Sequence, residues 1–116
     1  MENTAVQFVA GTSVSSVVKL AGNTLLALQF GTLWTSADIS FLGSGDGVTF
    51  GPIYDDQGNN VSLTVPSLVS NMIVCLSPDI LATIGKFHWL KFVSGSYVSQ
   101  TNQSANTSLT LIFGSF

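Results

Sequence analysis

Residues 39–54 read Ile39-Ser40-Phe41-Leu42-Gly43-Ser44-Gly45-Asp46-Gly47-Val48-Thr49-Phe50-Gly51-Pro52-Ile53-Tyr54, two strand-like stretches on either side of a run of glycine, serine and aspartate. Period-two alternation marks a half-buried strand, and glycine supplies the positive φ angles that tight hairpin loops require. The segment predicts strands at Ile39 to Leu42 and Val48 to Tyr54, joined by Gly43 to Gly47. No other stretch gives so clear a hairpin signal.

The same pattern extends in both directions. Upstream, Val14 to Leu20 and Thr24 to Phe30 read as strands around Ala21-Gly22-Asn23, with Leu26, Leu28 and Phe30 expected on one face. Downstream, Asp55 to Asn60 is a turn into Val61 to Val65, whose alternation groups Val61, Leu63 and Val65 before Pro66 ends the strand. Asn71 to Leu76 is apolar without a break in its middle, as expected of a strand covered on both sides or lying at a subunit contact. Ser77-Pro78-Asp79 through Gly85 combines an N-cap serine, a proline at the first helical position and a glycine at the far end, which predicts one short helical turn. Phe87 to Val93 and Ser108 to Phe113 are the last strands, the former apolar on both faces, with the polar loop 94–107 between them. Many short strands with regular turn signals predict an all-β chain: a single antiparallel β-sandwich, jelly-roll-like, spanning residues 14–116. Residues 1–13 read either as an arm that docks on a neighbour or as an edge strand, since Val6, Phe8 and Val9 would each lose about 1.5–3 kcal/mol if left in water.

Charge is scarce. Of 116 residues, three are Lys, none Arg and six Asp or Glu, whereas 46% are apolar. Ser, Thr, Asn, Gln and Gly stand where a free-living protein usually carries ions, and such side chains can be covered by a neighbour without desolvating a charge. This composition predicts a subunit of an assembly. A formal charge of −3 with only Lys19, Lys86 and Lys91 as cations gives no means of neutralising several phosphates, so no direct nucleic-acid binding is expected. Polar residues and glycines interrupt every apolar stretch before it is long enough to span a bilayer, so no membrane helix is expected. Met1-Glu2-Asn3-Thr4 lacks the basic and apolar regions of a secretory signal, which predicts assembly in a cytoplasm.

No residue pattern carries catalysis, and no cofactor or metal is expected. The single cysteine, Cys75, lies within Met72-Ile73-Val74-Cys75-Leu76 and is expected to be a buried, inert thiol. His88, the only histidine, sits between Phe87 and Trp89 with no nucleophile elbow, which favours a structural imidazole. Asp55 and Asp56, with Asp46 from the neighbouring turn, lack the calcium-loop pattern and are read as turn formers ahead of a weak ion site. Trp34, Tyr54, Trp89 and Tyr97 raise a carbohydrate-binding platform as an alternative, against the reading in which both tryptophans fill the core and Tyr54 anchors a strand end.

The stretch Leu33-Trp34-Thr35-Ser36-Ala37-Asp38-Ile39-Ser40-Phe41, then Ser44-Gly45-Asp46-Gly47-Val48-Thr49-Phe50, then Tyr54-Asp55-Asp56-Gln57-Gly58, resembles a family of small tailed-bacteriophage virion structural proteins. The likeness continues through Leu90-Lys91-Phe92-Val93-Ser94-Gly95, Asn102-Gln103-Ser104-Ala105 and Leu109-Thr110-Leu111-Ile112-Phe113, although no Arg occupies the later strand, where the family often carries Arg or Lys. The resemblance implies a β-sandwich component of the virion, such as a capsid decoration or cement protein, assembled in the bacterial host cytoplasm. Its implied partner is the major capsid protein, and edge strands pairing between copies would add self-association as a dimer or trimer. A tail, baseplate or fibre module is the alternative position. Val6, Phe8, Val9, Phe113 and Phe116 are the candidate assembly contacts, as apolar residues near the chain ends.

Overall fold

The predicted hairpin forms, and its first strand lies inside a sheet. The computed structural model describes residues 4–20, 23–31, 33–66 and 71–114. Its strands are β1 (Thr4–Phe8), β2 (Val18–Lys19), β3 (Thr24–Phe30), β4 (Ile39–Ser44), β5 (Gly51–Pro52), β6 (Ser62–Leu63), β7 (Ile73–Cys75), β8 (Trp89–Ser94) and β9 (Thr107–Gly114), with one helix, α1 (Pro78–Ile84), between β7 and β8. One sheet has four strands in the order β1-β9-β3-β7; the other has the order β2-β8-β4-β5, with β6 also pairing with β4. Every pairing among these strands is antiparallel, and the chain crosses repeatedly from one sheet to the other, which is the strand order of a jelly roll.

β5 and β6 are two halves of one strand position. Both lie on the same edge of β4, and Val61 donates to the Ile53 carbonyl at 2.9 Å, so residues 54–60 are looped out between them. The strand predicted from Val48 is shorter than expected because Asp46 accepts the Val48 and Thr49 amides at 2.8 and 2.9 Å and holds that segment in the turn. Val14 to Leu20 is also interrupted. Val14 bridges Val93 and Ser15 binds Phe92, but Ser16 turns to Gln7 in the other sheet before β2 begins.

The core lies between the sheets, and alternation places most of it correctly. Leu28, Phe30, Ile39, Phe41, Leu90, Phe92, Leu109 and Leu111 are all fully buried. Phe41 and Phe92 meet edge-on at 5.6 Å, and Trp34 receives both Phe8 and Phe30 edge-on, at 5.2 and 5.1 Å. β3 departs from the predicted phase: its register on β9 shifts between Leu25 and Ala27, so Leu25 enters the core and Leu26 does not join Leu28 and Phe30. A bulge adds a residue that alternation cannot anticipate.

α1 closes one end of the sandwich. Ser77 caps it by accepting the Ile80 amide, Pro78 needs no hydrogen bond at the first position, and Ile84 is buried. Gly85 follows the helix as predicted, but with φ −65° it extends the right-handed turn and takes no left-handed cap. The opposite end is tied by Gln103, wholly buried in the long loop. Its side chain accepts the Thr35 amide at 2.6 Å and donates to the Thr35 carbonyl at 3.0 Å and to Ser94 Oγ at 2.7 Å. Its backbone bonds Thr12 and Gly11, so one residue joins three separate loops.

Candidate functional site

The strands of the four-stranded sheet read Thr-Ala-Val-Gln-Phe, Thr-Leu-Leu-Ala-Leu-Gln-Phe, Ile-Val-Cys and Thr-Ser-Leu-Thr-Leu-Ile-Phe-Gly, without a charged residue. Their pairing builds the outer face in rows. Ala5, Thr110, Gln29 and Ile73 lie side by side in one row, and Ile112, Ala27 and Cys75 in the next. Inward positions in the same strands are filled by Val6, Phe8, Leu28, Phe30, Leu109 and Leu111, so the outward face contains only small, hydroxyl, amide and aliphatic side chains.

Of the two readings of Asn71 to Leu76, a strand covered on both sides or one lying at a subunit contact, the first does not hold: β7 is the last strand of its sheet, with Ile73 52% exposed and Val74 paired beside Leu28. Cys75 is likewise an exposed free thiol, not a buried one. The apolar run alone could not tell a central strand from an edge strand.

The five predicted contacts separate. β1 is an edge strand hydrogen-bonded to β9, and Val6 and Phe8 point into the chain's own core with no exposed surface. Their side chains are therefore unavailable to a neighbour in this fold. Val9 is 61% exposed, and Phe113 is half-buried against the core. Phe116 lies outside the described residues.

The outer face of the other sheet is different in kind. Lys19 Nζ stands 5.5 Å from the Trp89 ring centre, and Lys91 Nζ stands 4.6 Å from that of Phe50. Trp89 does not fill the core as predicted. It is half-buried on the outer face, also close to Gly47, where an added Cβ would come within 3.1 Å of the indole. Trp34 is in the core as expected, and its Nε1 is buried without a partner among the described residues. Tyr54 and Tyr97 remain 47% and 40% exposed on either side of Asn60, which bridges Tyr54 and accepts the Tyr97 amide at 3.1 Å.

The carboxylates serve their turns. Asp55 accepts the Gln57 and Asn59 amides, both at 2.9 Å, while Asp46 holds the turn before β5. Among the described residues no three His, Cys, Asp or Glu side chains come together as a metal site. His88 is exposed, with its ring edge-on to Trp89 at 5.8 Å. Bonds from the Thr49 amide, the Val48 amide and the Ser44 hydroxyl, in that order, hold the Asp46 carboxyl below its ordinary pKa. A lowered folded-state pKa stabilises the fold above the unfolded value, and that contribution disappears as pH falls through the folded value. Asp46→Asn keeps an acceptor for both amides but removes the titration. Melting measured from neutral pH down into acid should therefore fall less steeply in the variant than in the parent; equal slopes would show that the turn carries no proton-linked stability.

Sequence reading missed the outer rows of the four-stranded sheet and the network of Gln103. The available signal for the first was the complete lack of charge in four strands; for the second there was none, because hydrogen-bond partners far apart in the chain leave no local pattern. Comparisons with protein-family models, curated proteins and solved structures gave no match.

Proposed function

We propose that this chain is a non-enzymatic structural subunit of a tailed-phage virion, a capsid decoration or cement protein that bridges capsid subunits, with a tail, baseplate or fibre position as the alternative within the particle. The observation that carries the reading is the uncharged outer face of the four-stranded sheet. The sequence resemblance and the jelly-roll strand order support it, the latter as an analogy with other viral shells.

Size explains how such a face works. Strands of five, eight, seven and three residues, spaced about 4.8 Å apart and rising about 3.3 Å per residue, give a sheet face of roughly 360 Å². A standard contact removes about 800 Å² per partner, so the face needs its rim as well. Val9, Val17 and Leu33, which are 61%, 48% and 60% exposed, supply apolar surface beyond the sheet. Repeated over a shell, modest contacts of this kind add up because each bridged subunit holds the next in place.

The test is uptake by particles. Fluorescently labelled chain mixed with purified shells lacking it should co-sediment to a fixed copy number, and image reconstruction should place it across subunit junctions. Density on the tail instead would select the alternative position, and a chain left entirely in the supernatant by both shells and tails would remove the virion reading. The paired exposure of Tyr54 and Tyr97 favours sugar binding as the rival function, and a glycan array giving specific signals lost in Tyr97→Ala would establish it.

A further inference from the structure

We propose that β7 pairs antiparallel with β7 of a second copy of this chain, about a two-fold axis at Val74, joining two four-stranded sheets into one continuous sheet. The inference is independent of the virion reading. A chain that pairs in this way without binding a shell retains it, and one that decorates shells without self-pairing loses it.

The hydrogen-bond directions set the register. Phe30 donates to the Met72 carbonyl at 2.8 Å and Leu76 donates to the Leu26 carbonyl at 2.9 Å, while Val74 stands opposite Leu28. Backbone groups alternate sides along a strand, so the N–H and C=O of Ile73 and Cys75 point away from β3. No described strand pairs with that side. With a two-fold axis at Val74, Ile73 of one copy faces Cys75 of the other, and these two equivalent pairs exchange four backbone hydrogen bonds. Val74 meets its own counterpart at the axis, and pairing need not extend to Asn71, whose φ of 60° departs from strand geometry.

The remaining edges show why β7 is the one to pair. On β1, Ser16 already takes both groups of Gln7, accepting its amide and donating to its carbonyl, each at 3.0 Å. β2 carries Lys19, whose charge discourages another strand. On β5, the Ile53 amide turns inward to Phe41, so the missing N–H of Pro52 falls on the outer edge, and residues 54–60 loop out beside it. β7 has neither lysine nor proline, and its exposed residues are Ile73 and Cys75. Uncharged strands of like sequence can meet without repulsion, and Ile73 is covered when they do.

Cys75 gives the geometry a direct readout. The two thiol-bearing residues lie diagonally across the axis, about 8–9 Å apart at Cα from strand spacing and rise, beyond the reach of an unstrained disulfide. The full chain, kept reduced, should sediment as a monomer–dimer equilibrium. A short-armed bis-maleimide should convert the dimer to a covalent species that Cys75→Ser cannot form. Hydrogen exchange at the Ile73 and Cys75 amides should slow as concentration rises, while the β1 amides remain unchanged. Ile73→Lys should raise the self-dissociation constant by about tenfold or more with unchanged circular dichroism, because it places like charges across the axis. A wild-type chain that stays monomeric to its solubility limit, or dimerises without slowing those two amides, overturns the proposal. The amide measurement decides the matter on the wild type should Ile73→Lys fail to fold.

Discussion

Gln103→Leu should lower the free energy of unfolding by about 3–5 kcal/mol. Leucine matches glutamine closely in size, so the loss is one of hydrogen bonds rather than volume. The substitution orphans the Thr35 amide, the Thr35 carbonyl and Ser94 Oγ, all bonded by the Gln103 side chain. A buried polar group left without a partner costs roughly 1–3 kcal/mol, and water reaching half-buried Thr35 recovers part of the total. Against the 5–15 kcal/mol typical of a small domain, this is a large share. Urea unfolding at neutral pH measures it. Ser94→Ala should cost less in the Gln103→Leu background than in the parent, because the Ser94 hydroxyl has already lost its donor. A loss below about 1 kcal/mol would mean that the network is dispensable and that the three loops are held by their own backbone bonds.

Gly95→Ala should cost about 2–4 kcal/mol, for two separable reasons. Gly95 adopts φ +92°, which an L-residue rarely accepts, and an added Cβ would lie 2.6 Å from the Ser99 carbonyl oxygen, 3.0 Å from the Thr101 nitrogen and 3.1 Å from the Gln100 Cα. All three obstacles are backbone, so the neighbouring loop itself must move. Displacing it strains the Gly95 amide on the Asp38 carbonyl and the Ser40 hydroxyl on the Gly95 carbonyl. Gly58→Ala supplies the control. Its φ is +79°, but no atom lies within 4 Å of the added Cβ, so it should cost only the conformational part, about 1 kcal/mol. The difference between the variants in urea unfolding isolates the clash; equal costs would show that the 95–101 loop yields freely.

Both substitutions act at the end of the sandwich where loops from different parts of the chain converge. Apart from the Asp38 carboxylate, which accepts the Val65 amide at 2.9 Å, the side-chain bonds there are made by uncharged groups, as in Ala10 donating to Asn106 and Thr35 bonding Ser104. A loop end with a single carboxylate bond and an uncharged sheet face follow from the same composition. The lysines of the strands are confined to the opposite sheet, against Trp89 and Phe50. The two broad faces of the molecule therefore offer neighbours different chemistry.

The sequence by itself determined the fold class, because alternation is a local property. Phe41, Leu90, Phe92, Leu109 and Leu111 announce their burial through neighbours two residues away, and Ser77 and Pro78 announce the helix start in the same local way. Tertiary structure alone decided what depends on distant neighbours. The apolar Ile73-Val74-Cys75 reads alike as a central or an edge strand, and only the order of the sheet leaves one side of it unpaired. Val6 and Phe8 read equally as part of a docking arm or of an edge strand until pairing with β9 makes them the latter and turns them into the core, and Trp89 reads as core until its strand turns it outward. Gln103 is one polar loop residue among many until the fold brings Thr35 and Ser94 to it. Side-chain period records which way a residue points along its own strand, but what waits there is set by chain segments tens of residues away.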